Sequence, residues 1–249
     1  MSLLKSAVAL SAAAVLTAAG VLPASAAARP HAPTAGAQVN LRTIPTSSFG
    51  AGYVITPGSP NVSSASAQFT VPTITCNNPN DTKLLLPGIW IYDSGGTLRQ
   101  QVDLNVYCTG TAITYLGVIC IAGSSAGCVT LLTVSPGDRI VATFSESPYH
   151  TQGQLYDLTS NTSEHIYDGT PAPTDDYTVF IGDAGPAAFG HTHVPTFDKI
   201  SFTKCQVDGY YLFEYAPEAL SLKTASYVQI RTSTLHGDGD AFTTTFAHI

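Results

Sequence analysis

The run Gln101-Val102-Asp103-Leu104-Asn105-Val106-Tyr107-Cys108 alternates polar and apolar residues with a period of two. In a strand, that period places an amide, a carboxyl and a second amide on one face, with Val102, Leu104 and Val106 on the other. The apolar row is core, and the polar row is a candidate working surface.

Other groups that bear on chemistry carry less weight. His191 and His193 flank Thr192, and in a strand both rings would point the same way, as metal ligands do. No third ligand is evident nearby, and a polar loop after Gly190 is the favoured reading. His236-Gly237-Asp238-Gly239-Asp240 lacks the spaced oxygens of a calcium loop and reads as a hairpin turn. No metal and no cofactor is expected. Asp93-Ser94-Gly95-Gly96 matches the nucleophile motif of trypsin-like proteases, but no Ala-Ala-His-Cys partner is present, and it follows a strand as a plain turn does. Trp90, the only tryptophan, reads as a core anchor rather than a substrate platform. Asn61, Asn80 and Asn161 fit glycosylation sequons.

The elements that must position the polar row are strands. Strand-like runs cover 52–56, 65–71, 84–92, 98–107, 112–121 and 129–134, then 139–145, 152–157, 177–182, 198–205, 225–232 and 241–246. Turn signals such as Pro57-Gly58, Pro136-Gly137-Asp138 and Asp208-Gly209 separate them. Only 11% of residues are charged, while Thr, Ser, Val, Ile and Tyr are abundant. Twelve short strands without an amphipathic helix predict an all-β, antiparallel two-sheet sandwich.

Residues 1–28 have a signal-peptide layout: Lys5, an apolar 7–21 stretch and the small-residue sites Ala24-Ser25-Ala26 and Ala26-Ala27-Ala28. Residues 29–46 read as a flexible leader or short propeptide, and 47–249 as a single β-sandwich domain. No later run has the roughly 18–20 unbroken apolar residues of a membrane span. A secreted, extracellular monomer is expected. The net charge of -7, about -8 without Lys5, argues against nucleic acid, since no basic patch is there to neutralise phosphates. Five cysteines in an exported chain predict two disulfides whose pairing sequence alone does not fix; the preferred one is Cys76–Cys108 with Cys120–Cys128, leaving Cys205 as a buried thiol.

A series of motifs then resembles one family. Ser47-Ser48-Phe49-Gly50-Ala51-Gly52-Tyr53-Val54, followed by 64–72 ending in Val71-Pro72 and by Cys76, resembles the opening of the glutamic peptidases, or eqolisins. Gly88-Ile89-Trp90-Ile91-Tyr92-Asp93 is similar to the family's Trp-Val-Gly-Ile-Asp-Gly strand, and Gln101 to Cys108 to its glutamine strand. Ser135-Pro136-Gly137-Asp138 and 197–203 continue the order. The resemblance implies a curved, lectin-like sandwich with a concave groove for an extended polypeptide, lined here by Asp93, Asp103 and Asn105. It also implies acid endopeptidase chemistry, with a glutamate as general base and a glutamine amide at the oxyanion.

Gln101 matches that glutamine, and Gln100 is the alternative if the strand slips by one. Equating Phe180 with the tryptophan of the family's Ala-Glu-Trp-Ile puts Val179 at the position of the glutamate, which is therefore missing. Gly50 replaces a family tryptophan, and Cys120 falls at a further acidic position. Three readings follow: a catalytically impaired pseudoenzyme whose groove binds polypeptide or glycan, an acid endopeptidase using Gln101 with Asp183 as substitute acid, and a purely structural surface protein.

Overall fold

A computed structural model describes residues 46–56, 62–76, 82–93, 95–122, 127–168, 178–185, 193–224 and 227–247. The expected signal peptide and nearly all of the expected leader lie outside these residues, as do His191, Asn61 and Asn80. In chain order the strands begin with β1 (Thr46–Ser47), β2 (Gly50–Ile55), β3 (Ser64–Thr70), β4 (Ile74–Thr75), β5 (Thr82–Tyr92) and β6 (Leu98–Thr109). They continue with β7 (Ala112–Ile121), β8 (Cys128–Thr133), β9 (Arg139–Ser147), β10 (His150–Asp157), β11 (Thr162–Asp168) and β12 (Thr178–Ala184). The last are β13 (Thr196–Phe197), β14 (Lys199–Val207), β15 (Tyr210–Tyr211), β16 (Glu218–Thr224), β17 (Tyr227–Thr232) and β18 (Phe242–Phe246).

Hydrogen-bonded neighbours run β11-β10-β9-β3-β14-β18-β17-β16-β2-β12-β5-β6-β7-β8, antiparallel throughout. Among the described residues only the two-residue β1 adds a parallel pairing, to β16. Strand β16 pairs with β17 on one side and β2 on the other, and its register shifts between Leu222 and Lys223. The path passes there from one layer, β11 to β17, to the second, β2 to β8. The fold is the all-β sandwich that strand patterning predicts.

Period-two burial explains the stacking. Along β3 and β10 every second residue is buried, so each strand turns one apolar row inward. Phe69, Phe202 and Phe242 form the aromatic centre between the layers; the rings of Phe202 and Phe242 stack at 4.7 Å and 8°. Each such ring contributes about 1.5–3 kcal/mol by leaving water. The layers approach closely where β10 has Gly153: a Cβ there would stand 2.5 Å from Ile119 of β7 and 3.1 Å from Val102 of β6. Disulfides join Cys76 to Cys108 and Cys120 to Cys128, and Cys205 is a buried free thiol whose pKa burial pushes up. Among the described residues no helix is long and apolar enough to cross a membrane.

Candidate functional site

The register of the second layer defines the site. Phe180 of β12, Trp90 of β5, Gln101 of β6 and Cys120 of β7 are direct cross-strand partners in one row, extended by Val54 of β2 and Cys128 of β8. The next row on the same face is Gly52, Gly182, Gly88, Asp103 and Val118. Val102, Leu104 and Val106 alternate with Gln101, Asp103 and Asn105 and lie in the core between the layers, as the period of two requires. Gln100 is turned to that core side, with its Oε1 lacking a partner.

Gln101 and Asp103 are brought together. Gln101 Nε2 donates to both carboxyl oxygens of Asp103 at 2.9 Å, with the two residues 3% and 0% exposed. Asp103 has its room because β5 carries glycine opposite it: a Cβ on Gly88 would stand 2.4 Å from the Asp103 Cβ. Burial pushes the Asp103 pKa up to about 8, with the Gln101 amide offsetting part of the shift. Burial thus favours the protonated form of Asp103 well beyond the usual carboxyl range. Nearby, burial first and then the Asp103 charge push the Tyr92 hydroxyl pKa upward.

An aromatic cluster fills the rest of this face. Trp90 and Phe180 are fully buried with ring centroids 5.5 Å apart, and Phe49 meets Phe180 at 5.0 Å and Tyr92 at 5.1 Å, both edge-on. The Phe180 ring reaches over the glycine row to Gly50, where a Cβ would stand 2.7 Å from its tip. A tryptophan at position 50 would collide with it. Trp90 thus behaves as an anchor, although in a cluster separate from the main core. Val54, Tyr92, Leu98 and Tyr107 pack around this cluster partly exposed.

The remaining positions separate from this pair. Val179 is fully buried on the opposite face, level with Ile91 and Ile55, so Phe180 and not Val179 shares the face of Gln101. Neighbouring strands lie about 4.7–4.9 Å apart, which places Phe180 roughly 10 Å from Gln101 with Trp90 between them. Asp183 is also on the Val179 face, 0% exposed and turned toward Thr244 of the facing layer. It does not face Gln101. Burial pushes its pKa up to about 7, which the Thr244 hydroxyl offsets in part, although neither group completes a hydrogen bond of ordinary geometry. Asp93 closes the β5–β6 hairpin: its Oδ1 accepts from the Thr97 amide at 2.8 Å, and Arg99 pairs with it at 2.9 Å. The Thr97 amide and then Arg99 hold its carboxyl below the usual range. Asn105 is half-buried on the Gln101 face, two positions beyond Asp103.

Sequence reasoning missed Phe49 and Phe180 as the filling of this face. The signal for it was the set Gly50, Gly52, Gly88 and Gly182, which leaves room for a large ring. No group of three or more His, Cys, Asp or Glu placed to hold a metal occurs among the described residues.

Solved structures resemble this fold. A structure of Scytalido-glutamic peptidase with a peptide-based transition-state analog matches with a TM-score of 0.56 and 14% identity over 80% of this chain and 98% of that one. A structure of SCP-B, a member of the eqolisin family of peptidases, in complex with the tripeptide Ala-Ile-His, matches with a TM-score of 0.53 and 14% identity over the same shares. No protein-family model and no curated protein matches the sequence significantly. The fold is eqolisin-like.

Proposed function

We propose that this chain is an exported, monomeric, glutamic-peptidase-like sandwich whose Gln101 face holds an extended polypeptide and no longer cleaves it by the general-base mechanism. The observation that carries the reading is the company Gln101 keeps. Its row holds Trp90 and Phe180 where a water-activating carboxylate would have to stand, and its own amide is tied to the buried Asp103 carboxyl. A general base contributes roughly 10²–10⁴ in rate, and peptide bonds are too inert to react without one. What such a face retains is binding: partly exposed Phe49, Tyr92 and Tyr107 offer apolar contacts, and Asn105 offers an amide. An extended polypeptide fits this mixture better than a glycan, because the rings outnumber the polar groups.

A second reading rests on a specific contact. Asp103 is the carboxyl in hydrogen-bond reach of Gln101, so an acid endopeptidase on this face would use Asp103 rather than Asp183.

Digestion of denatured casein by the purified chain from about pH 2 to 7 separates the readings. The first expects no cleavage at any pH, together with saturable casein binding that Tyr92→Ala and Tyr107→Ala weaken. Cleavage abolished by both Gln101→Ala and Asp103→Asn would sink it in favour of the second. Neither cleavage nor binding would leave a structural surface protein.

A further inference from the structure

The β11–β17 layer carries its own pocket on its outer face, away from Gln101. A cavity of about 500 Å³ is lined by Ser66, Gln68, Lys204, Gln206, Tyr211 and Asp240 together with aliphatic Val141 and Leu158, within the ~300–1,000 Å³ typical of small-molecule sites. Its floor is the outward rows of β3, β9 and β14, which alternate with buried Ala65, Ala67, Ile140, Ala142, Cys205 and Val207.

A bulge builds it. Thr203 and Gln206 of β14 face Gln68 and Ser66 of β3, so β14 spends one residue more than its partner over this stretch. Lys204 takes up the excess at φ 52, a left-handed conformation that costs a side-chain-bearing residue about 1–2 kcal/mol. Such strain concentrates at binding sites. The β17–β18 turn closes one wall, where the Asp240 carbonyl accepts from the Cys205 amide at 2.9 Å, and Tyr211, the register partner of Gln206, supplies another. Among the described residues, no hydrogen bond or ion pair ties the side chains of Gln68, Lys204, Gln206 or Asp240.

We propose that this pocket binds a neutral saccharide. Sugar hydroxyls both donate and accept, and the lining answers with two glutamine amides and a serine hydroxyl that do both, a lysine that donates and a carboxylate that accepts. The Tyr211 ring offers an apolar surface for the C–H face of a pyranose. Lys204 and Asp240 cancel in charge, and a phosphate would meet Asp240. A peptide cannot join here as an added strand, because β3, β9 and β14 are paired on both sides and have no backbone groups left for one.

The test is calorimetric titration of the full chain with soluble cello-, chito-, malto- and manno-oligosaccharides, beside Gln206→Ala, Asp240→Ala and Gln101→Ala. One series should bind saturably, about tenfold or more weaker in Gln206→Ala and in Asp240→Ala, whose melting curves match that of the unmodified chain, and unchanged in Gln101→Ala, which melts lower but is titrated well below its transition. Binding by none of the four, or equal binding by the two pocket variants, overturns the proposal. Loss in Gln101→Ala alone also overturns it and moves the saccharide to the opposite layer, whereas casein binding tests that layer independently.

Discussion

Asp103 and Asp183 lie on opposite faces of one layer, both fully buried, with pKa values pushed up to about 8 and about 7. Asp103 shares its burial with an amide that donates to both oxygens. Asp183 looks between the layers toward Thr244, whose hydroxyl offsets part of the burial shift without completing a hydrogen bond of ordinary geometry. Burial alone therefore does not distinguish a site from a core. The partner does: one carboxyl belongs to a built polar pair, and the other is a polar group left in an apolar interior.

The comparison predicts first that the two faces cost alike when emptied. Phe180→Ala on the Gln101 face and Phe202→Ala between the layers should each lose about 3–5 kcal/mol in urea unfolding. A loss below about 1 kcal/mol for Phe180→Ala alone would show the Gln101 face to be open surface instead. Next in size, Asp183→Leu should stabilise by about 1–3 kcal/mol, because it removes an unpaired polar group, while Asp103→Leu should cost a similar amount by stranding the Gln101 amide. Equal signs would erase the distinction.

The pH dependence follows with its sign fixed. Both folded pKa values lie above the unfolded carboxyl value, so the folded state holds protons that the unfolded state releases. The contribution is full below about pH 4 and is lost as pH rises, to about 7 for Asp183 and about 8 for Asp103. Tm should fall by several degrees across that window, and Asp183→Asn and Asp103→Asn should each remove part of the slope. A flat profile in the unmodified chain would mean that water reaches both carboxyls. The smallest effect is expected at Gln100→Leu, neutral or stabilising by up to about 1 kcal/mol, since its Oε1 has no partner.

Much of the fold was legible because period-two burial writes itself into Ser, Thr, Val and Ile. All twelve expected strands are present with ends shifted by a few residues. Strands β11 and β16 were not foreseen, nor were the two-residue β1, β4, β13 and β15. Thr162–Asp168 is an edge strand with little buried apolar surface, and Glu218–Thr224 carries helix-forming Glu, Ala, Leu and Lys that pairing on both sides overrides. At the site, the alternation at 101–106 correctly placed Gln101 beside Asp103. The face of β12 was harder, because its run Val179-Phe180-Ile181 is apolar on both sides and parity there comes only from pairing to β5. That two disulfides form was expected of five cysteines in a chain read as exported, but their pairing was a preference that sequence alone cannot fix, and the pocket at Lys204 depends on a bulge that residue types do not announce.

The strand path has a kinetic consequence. Strands β2 and β3 sit deep in their layers, yet Gly52 pairs with Leu220 and Gln68 with Thr203. Neither layer can close around its N-terminal strands until the last third of the chain is available, so loop-closure entropy is spent before these contacts reward it. Folding should be slow, in the millisecond-to-second range of sheet proteins rich in non-local pairs. A truncated chain ending before β14 should show no cooperative transition, because β3 would have lost one of its two partners and β2 one of its own.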